Sequence, residues 1–401
     1  MQILSKINRK YIWVLLLSGF MAACSKETPE PVLPDPPAPP VDENPAMAID
    51  ALDQDIAAFM ARFDVPGLSL AVTKNGKLVY AKGYGTSDKD TMVPVDTNDL
   101  FRIASLSKFI TATGIMQFIE SGDLSMDDHV FGPGAVLGTE YGTQPYPARV
   151  SALTIKDLLH HELGGWGNAS SDPAFAQSGM DIKQLITWAI DNRPLTSDPG
   201  TKYAYSNMGF MILGQVIEKL SGQDYESYIK EHVMLPSGVK NMEIAGSKLA
   251  DRQENEVKYY GQSGQNPYGY ADGMLARIQA AGGWIASPID LLRIMTHIDG
   301  FSTVPDILKP STLTIMTTPS DLSVYACGLR VNDSNNWWHG GSLSGSRTWI
   351  VRAANGFCWS ILTNTRSTDS DFTTALDRLV WPSVKDQSTP WPDVDLFQPQ
   401  N

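Results

Sequence analysis

The sequence predicts an α+β fold: an antiparallel sheet assembled from both ends of the chain, with a mostly helical region, residues 105–318, inserted between its two parts. Three observations carry this reading. Near the start, the runs G-L-S-L-A-V-T-K and K-L-V-Y-A-K-G-Y-G flank Asn75-Gly76, a pair that closes a tight hairpin because both residues tolerate a positive φ. From Ser105 to about Thr318 the pattern is predominantly helical, with Gly- and Pro-rich loops between the periodic stretches. After that the period returns to that of strands, in runs near 323–331, 346–352 and 356–363.

The elements follow in order. Residues 50–63 form an amphipathic helix with Leu52, Ile56, Phe59, Met60 and Phe63 inward, and the hairpin comes next. The stretch Phe101 to Gly122 reads as a buried helix on Phe109, Ile110, Ile115, Met116, Phe118 and Ile119, with Gly122 as its stop. Further helices are expected at 154–161, 181–192, 208–221, 223–235, 287–298 and 310–318, and a closing helix at 371–380. The domain therefore runs 47–382, with a sheet region at 47–104 and 319–382, a helical region at 105–318, and a Pro-rich, polar tail at 383–401. No internal repeat is visible.

Composition sets the class. The 401 residues, 42% hydrophobic and 19% charged, are globular in type, and a net charge of −13 argues against nucleic acid as a partner. Lys6, Arg9 and Lys10 precede the apolar run Y-I-W-V-L-L-L-S-G-F and then M-A-A-C, the layout of an export signal over residues 1–23. The M-A-A-C ending resembles a bacterial lipoprotein signal, which implies lipidation at Cys24 and a protein anchored in the cell envelope, facing the periplasm and held by the outer membrane. Residues 24–46 would then be a tether, since eight prolines among acidic residues cannot bury a core. Cys327 and Cys358 remain; either they form a disulfide or they are two buried thiols in apolar strands.

Three short elements carry chemistry. Ser105 and Lys108 in S-L-S-K lie one helical turn apart, so a hydroxyl and an amine share a face. A serine becomes a nucleophile only when a neighbouring base takes its proton, and a lysine serves as that base when burial or positive charge lowers its pKa. The same spacing occurs at Ser227 and at Ser237, so S-x-x-K alone does not choose among them. Tyr205 and Asn207 in Y-S-N, and His339-Gly340-Gly341, follow in order and each pattern occurs once. H-E-L-G-G at His161 lacks the second histidine of a zinc protease, no G-x-S-x-G elbow is present, and no metal or organic cofactor is called for.

Taken with V-P-G-L-S-L-A-V, L-F-R-I-A-S-L-S-K-F, P-G-T-K-Y-A-Y-S-N-M-G-F-M-I-L-G and A-A-G-G-W-I-A-S-P-I-D-L, these elements resemble the serine β-lactamase and penicillin-binding-protein superfamily. The nearest branch is that of class C β-lactamases, D-alanyl-D-alanine carboxypeptidases and related esterases. The resemblance, which covers residues 50 to 380, implies the β-lactamase/transpeptidase-like fold and selects Ser105 as an acyl-forming nucleophile. It implies that Lys108 keeps the hydroxyl in a basic environment, that Tyr205, its pKa lowered by nearby cations, shuttles the proton, and that Asn207 orients Lys108 and a substrate amide. The N–H groups of Ser105 and Ser342 would form the oxyanion hole.

The third element departs from the pattern, because His339 and Gly340 stand where penicillin-recognising members carry Lys-Thr-Gly or Lys-Ser-Gly. A neutral imidazole and a glycine weaken both usual contacts to a substrate carboxylate, which favours an ester or uncharged amide. Arg347 or Arg366 would restore the charge, and Gly340, Gly341 and Trp338 are the other candidate substrate contacts. The reading is thus a monomeric, lipid-anchored serine hydrolase acting on a small-molecule or peptide substrate. The alternatives are a β-lactamase or D,D-carboxypeptidase on cell-wall peptides and a non-catalytic binder of peptidoglycan fragments.

Overall fold

The computed structural model describes residues 49–167 and 172–397. The expected signal, Cys24 and the tether lie outside the described residues.

The strands are β1 (Gly67–Lys74), β2 (Lys77–Asp88), β3 (Val93–Pro94), β4 (Phe101–Arg102), β5 (Glu243–Ile244), β6 (Tyr260–Gly261), β7 (Trp284–Ala286), β8 (Arg330–Val331), β9 (Trp337–Leu343), β10 (Ser346–Arg352), β11 (Phe357–Thr363) and β12 (Thr365–Arg366). The main sheet has seven strands in the order β3-β2-β1-β11-β10-β9-β8, all neighbours antiparallel. Both chain ends therefore meet at its centre, where Leu68 pairs with Thr363 and Lys74 with Phe357. Asn364 clamps that junction, accepting from Gly67 N at 2.8 Å and donating to Thr86 O at 3.0 Å.

The sheet is buried on both faces, which is why β1 and β11 read as near-continuous apolar runs. One face packs on the helices Asp50–Phe63, Phe372–Arg378 and Trp381–Lys385, and the core there joins Leu52, Ile56 and Phe59 to Trp359, Ile361 and Phe372. The other face, through Ala71, Ile350 and Leu362, joins the larger core of the helical region. At the middle of that region lie the helices Ser107–Ser121 and Asn207–Ser221, both ended by a glycine in the left-handed conformation, Gly122 and Gly222. Among the described residues no helix is long and apolar enough to cross a membrane.

The structure departs from the sequence reading in four places. The helix expected from Phe101 begins only at Ser107, because Phe101 and Arg102 are extended and pair with Ala286 and Ile285 of β7. Arg102 is 1% exposed, so its guanidinium must be satisfied internally; it donates to Pro267 O at 2.7 Å and Gly246 O at 2.8 Å, and lies 3.8 Å from Glu256. The helix expected over 223–235 is straight only for Tyr225–Ile229 and then widens to a π turn over Lys230–Met234. The strand near 323–331 is reduced to β8, since Ala326 N turns back on Leu329 O at 2.8 Å. Cys327 and Cys358 are free buried thiols, in the helical-side core and on β11 respectively, so the disulfide is excluded. The tail up to Phe397 lies on the body, with Leu396 N bonded to Leu78 O at 2.8 Å.

Candidate active site

Ser105 stands in a 3-10 turn, Ala104–Leu106, just ahead of the helix Ser107–Ser121. Ala104 carries φ +50°, a left-handed conformation that costs a non-glycine residue about 1–2 kcal/mol and has to be held by its surroundings. The holders are identifiable. Thr348 Oγ1 donates to Ile103 O at 2.9 Å, Ser346 Oγ to Arg102 O at 2.6 Å, and Ser107 Oγ to Ala104 O at 2.8 Å. β9 presses directly on the turn at Gly341, where an added Cβ would sit 2.2 Å from Ile103 O and 2.1 Å from Thr348 Oγ1.

Lys108 is fully buried, and its Nζ lies 2.6 Å from Ala281 O, 2.8 Å from Asn207 Oδ1 and 3.4 Å from Ser105 Oγ. Burial pulls its pKa down to about 7, against the opposing pull of the Asp172 carboxylate. A neutral amine has two N–H donors, which the two shorter contacts occupy. Its lone pair is then left for the Ser105 hydroxyl.

Tyr205 packs its ring 4.9 Å from Lys108 Nζ, and its buried hydroxyl forms no well-aligned hydrogen bond among the described residues. Burial raises its pKa, and the Ser105 hydroxyl beside it is the main influence in the other direction. The expected lowering by Lys108 is therefore overturned. A lysine held near neutrality is a weak cation, and desolvation of the phenolate wins.

Asn207 opens its helix and is fixed by a residue that the sequence reading missed. Asp172 accepts from Asn207 N at 2.6 Å, from Asn207 Nδ2 at 3.1 Å and from Met208 N at 3.3 Å, so the amide must turn its oxygen toward Lys108. The only local signal was Asp-Pro, and indeed Asp172 also caps the short turn Pro173–Phe175.

These groups surround a cleft of about 310 Å³. Ser105, Tyr205 and Asn207 meet there with Ala281, the apolar Ile278 and Phe175, and the main-chain edge of β9 at Gly340 and Ser342. Other residues expected at the site lie elsewhere. Strand alternation sends Trp338 to the opposite face, against the core around Trp349. Gly341 is a packing contact, as above, and the missing Cβ of Gly340 faces the Trp349 ring at 2.3 Å. Arg347 is half-buried beside that ring, 5.6 Å from its centre, and lies opposite Ser342 on the neighbouring strand. Burial and the nearby Arg366 lower its pKa to about 10, and Arg366 Nη1 donates to Ser342 Oγ at 3.2 Å.

His339 sits behind Tyr205 and is 3% exposed. Its Nδ1 donates to Gly340 O at 2.9 Å and its Nε2 accepts from the Tyr325 hydroxyl at 3.0 Å, with burial keeping the ring neutral far below its usual pKa. It belongs to a buried aromatic group with Tyr325 and His161, the rings of His161 and Tyr205 being 4.3 Å apart. His161 Nδ1 accepts from Ser206 N at 3.1 Å, tying the Tyr205 segment from behind.

The family model Beta-lactamase matches residues 52–380. Penicillin-binding protein 4* of Bacillus subtilis (strain 168) is 30% identical over 200 residues, which are 48% of this chain and 41% of that protein, so the chain spans less than half of that relative's length. Among solved structures, the octameric penicillin-binding protein homologue from Pyrococcus abyssi superposes with a TM-score of 0.67 at 23% identity, covering 84% of this chain and 78% of that one. The D-amino acid amidase from Ochrobactrum anthropi SV3 gives 0.68 at 21%, covering 84% and 99%. The two structures show the shared fold. The chain, matched over most of its length, belongs to the Beta-lactamase family.

Proposed function

We propose that this protein is a serine hydrolase that works through an acyl-enzyme on Ser105. The observation that carries the proposal is the position of Lys108: buried, near neutral, and with its two shortest contacts arranged so that the lone pair remains for the Ser105 hydroxyl. Lys108 would take the hydroxyl proton as Oγ attacks the acyl carbon. The protonated Tyr205 would pass a proton to the leaving group and recover it from the water that releases the acyl chain, while Lys108 returns its proton to Ser105 Oγ as that oxygen departs. The N–H groups of Ser105 and Ser342, both residues of the cleft lining, would stabilise the oxyanion, typically by about 3 kcal/mol per donor.

The substrate would be an ester or uncharged amide, because the residue in the lysine position, His339, is neutral and turned inward. One observation supports the alternative, cleavage of a β-lactam or a D,D-peptide bearing a carboxylate. Arg347 and Arg366 lie beside Ser342 with no ion-pair partner among the described residues. Labelling by a fluorophosphonate that disappears in Ser105→Ala supports the hydrolase. An unlabelled wild type would leave a binding protein that captures cell-wall fragments. Turnover of nitrocefin as fast as that of short acyl esters would instead select the β-lactamase reading. The chain would act as a monomer, with Cys24 lipidated and the catalytic domain held in the periplasm. Metabolic labelling with an alkyne fatty acid, lost in Cys24→Ala, tests the anchor, and gel filtration tests the monomer against the octamer of the Pyrococcus abyssi homologue.

A further inference from the structure

A second cavity, larger than the catalytic cleft at about 600 Å³, is lined in part by His160 and Glu162 and shares no lining residue with the cleft. Glu162 lines it, is 3% exposed, and has no ion pair among the described residues; its Oε1 has no hydrogen-bond partner there either. A buried carboxylate in that condition is costly unless a cation or several N–H donors reach it. Next to it, His160 is 4% exposed and its Nδ1 has no hydrogen-bond partner among the described residues, while its Nε2 lies 3.5 Å from Cys327 Sγ. Burial keeps that imidazole neutral, with a pKa down to about 4.

The rim carries a cation and an apolar wall. Lys156 lines the cavity, is exposed, and forms no ion pair among the described residues. Ile315 and Leu322, 39% and 45% exposed, supply apolar surface beside it. Asp127 and Asp321 also stand at the exposed edge and would repel an anion that carried no cation.

We infer that this cavity is a second ligand site, distinct from the Ser105 cleft, and that it takes a free α-amino acid with an apolar side chain. The ammonium would enter first and pair with Glu162, with His160 Nδ1 as a further polar contact. The carboxylate would remain at the rim with Lys156, and the side chain would cover Ile315 and Leu322. A zwitterion fits because the two unpaired protein charges are of opposite sign, one deep and one at the edge. An amine alone leaves Lys156 without a partner, and an acid alone leaves Glu162 without one. The inference does not depend on Ser105 being a nucleophile.

Isothermal titration of the whole protein with leucine tests it, with 3-methylbutylamine and 4-methylpentanoate as probes that each lack one charge. One saturable site is expected for leucine, with each single-charge probe at least about tenfold weaker. Glu162→Gln and Lys156→Met should each weaken leucine by about tenfold, and Ser105→Ala should leave it unchanged. Glu162→Gln should fold, since the amide is isosteric and Oε1 has no hydrogen bond to lose, and a thermal melt checks that; Lys156→Met changes only an exposed residue. Absence of a saturable site for leucine would overturn the inference. So would binding that survives Glu162→Gln, or binding that is lost when the cleft is blocked by a fluorophosphonate.

Discussion

The proton on Lys108 decides both activity and stability. As a base the lysine must be neutral, so the acidic limb of the ester-hydrolysis profile should fall near pH 7, the value to which burial brings it. Asp172 opposes that shift, and Asp172→Asn should lower the Lys108 pKa further and move the limb to lower pH. The other titratable groups facing Lys108, Tyr205, His161 and His339, are held in their neutral forms by burial and leave Asp172 as the charge that matters. Asp172→Asn should also release the Asn207 amide and reduce kcat by about tenfold, whereas a purely structural aspartate would leave the pH profile in place. The stability linkage has the opposite benefit. Lys108 is deprotonated more easily when folded than when unfolded, so between about pH 7 and 10.5 the unfolded chain binds the extra proton. Its penalty is full below pH 7 and fades as pH rises toward 10.5. Lys108→Met should therefore be inactive, yet melt a few degrees higher at pH 6 to 7 in calorimetry. Ser105, Lys108, Tyr205 and Asn207 were legible because they sit in short ordered patterns. Asp172 was not, because it acts on a residue 35 positions away through a side chain whose direction no local pattern fixes.

At the scale of elements, β9 and the turn at Ala104 form one unit. Gly341→Ala would drive a methyl into Ile103 O and push β9 away from Ser105, so kcat for any acyl substrate should fall by about a hundredfold with a smaller change in KM. Tyr325→Phe removes the donor to His339 Nε2 and leaves a buried acceptor unpaired. A loss of about 1–3 kcal/mol in urea unfolding is expected, with ester turnover changed less than by Gly341→Ala. The period-two rule also explains how Trp338 was misplaced. Trp338 is adjacent to His339 in sequence, but adjacent residues in a strand face opposite sides. The late start of the helix at Ser107 has a different cause. The helical spacing begins only at Phe109, and ahead of it the buried partners of Arg102 and the pairing with β7 hold Phe101 and Arg102 extended.

For the whole molecule, the α+β reading was legible because period two at both ends and longer periods between them leave few alternatives. The small sheet β4-β7-β5 was not, since strands of two or three residues carry no period. Because β1 lies between β2 and β11, neither terminal part completes the sheet alone. Urea unfolding should therefore be a single transition, with tryptophan fluorescence and far-ultraviolet circular dichroism coincident; separated midpoints would show that the helical region unfolds on its own.

The register Leu68 to Thr363 also has a consequence during synthesis. Strand β1 emerges from the ribosome long before β11, the neighbour it needs. Until then its apolar row is an open edge, competent to pair with another nascent copy. A cell making this protein must keep β1 from mispairing while the helical region between the two strands is translated, and overproduction should yield inclusion bodies unless chaperones or slow expression cover that interval.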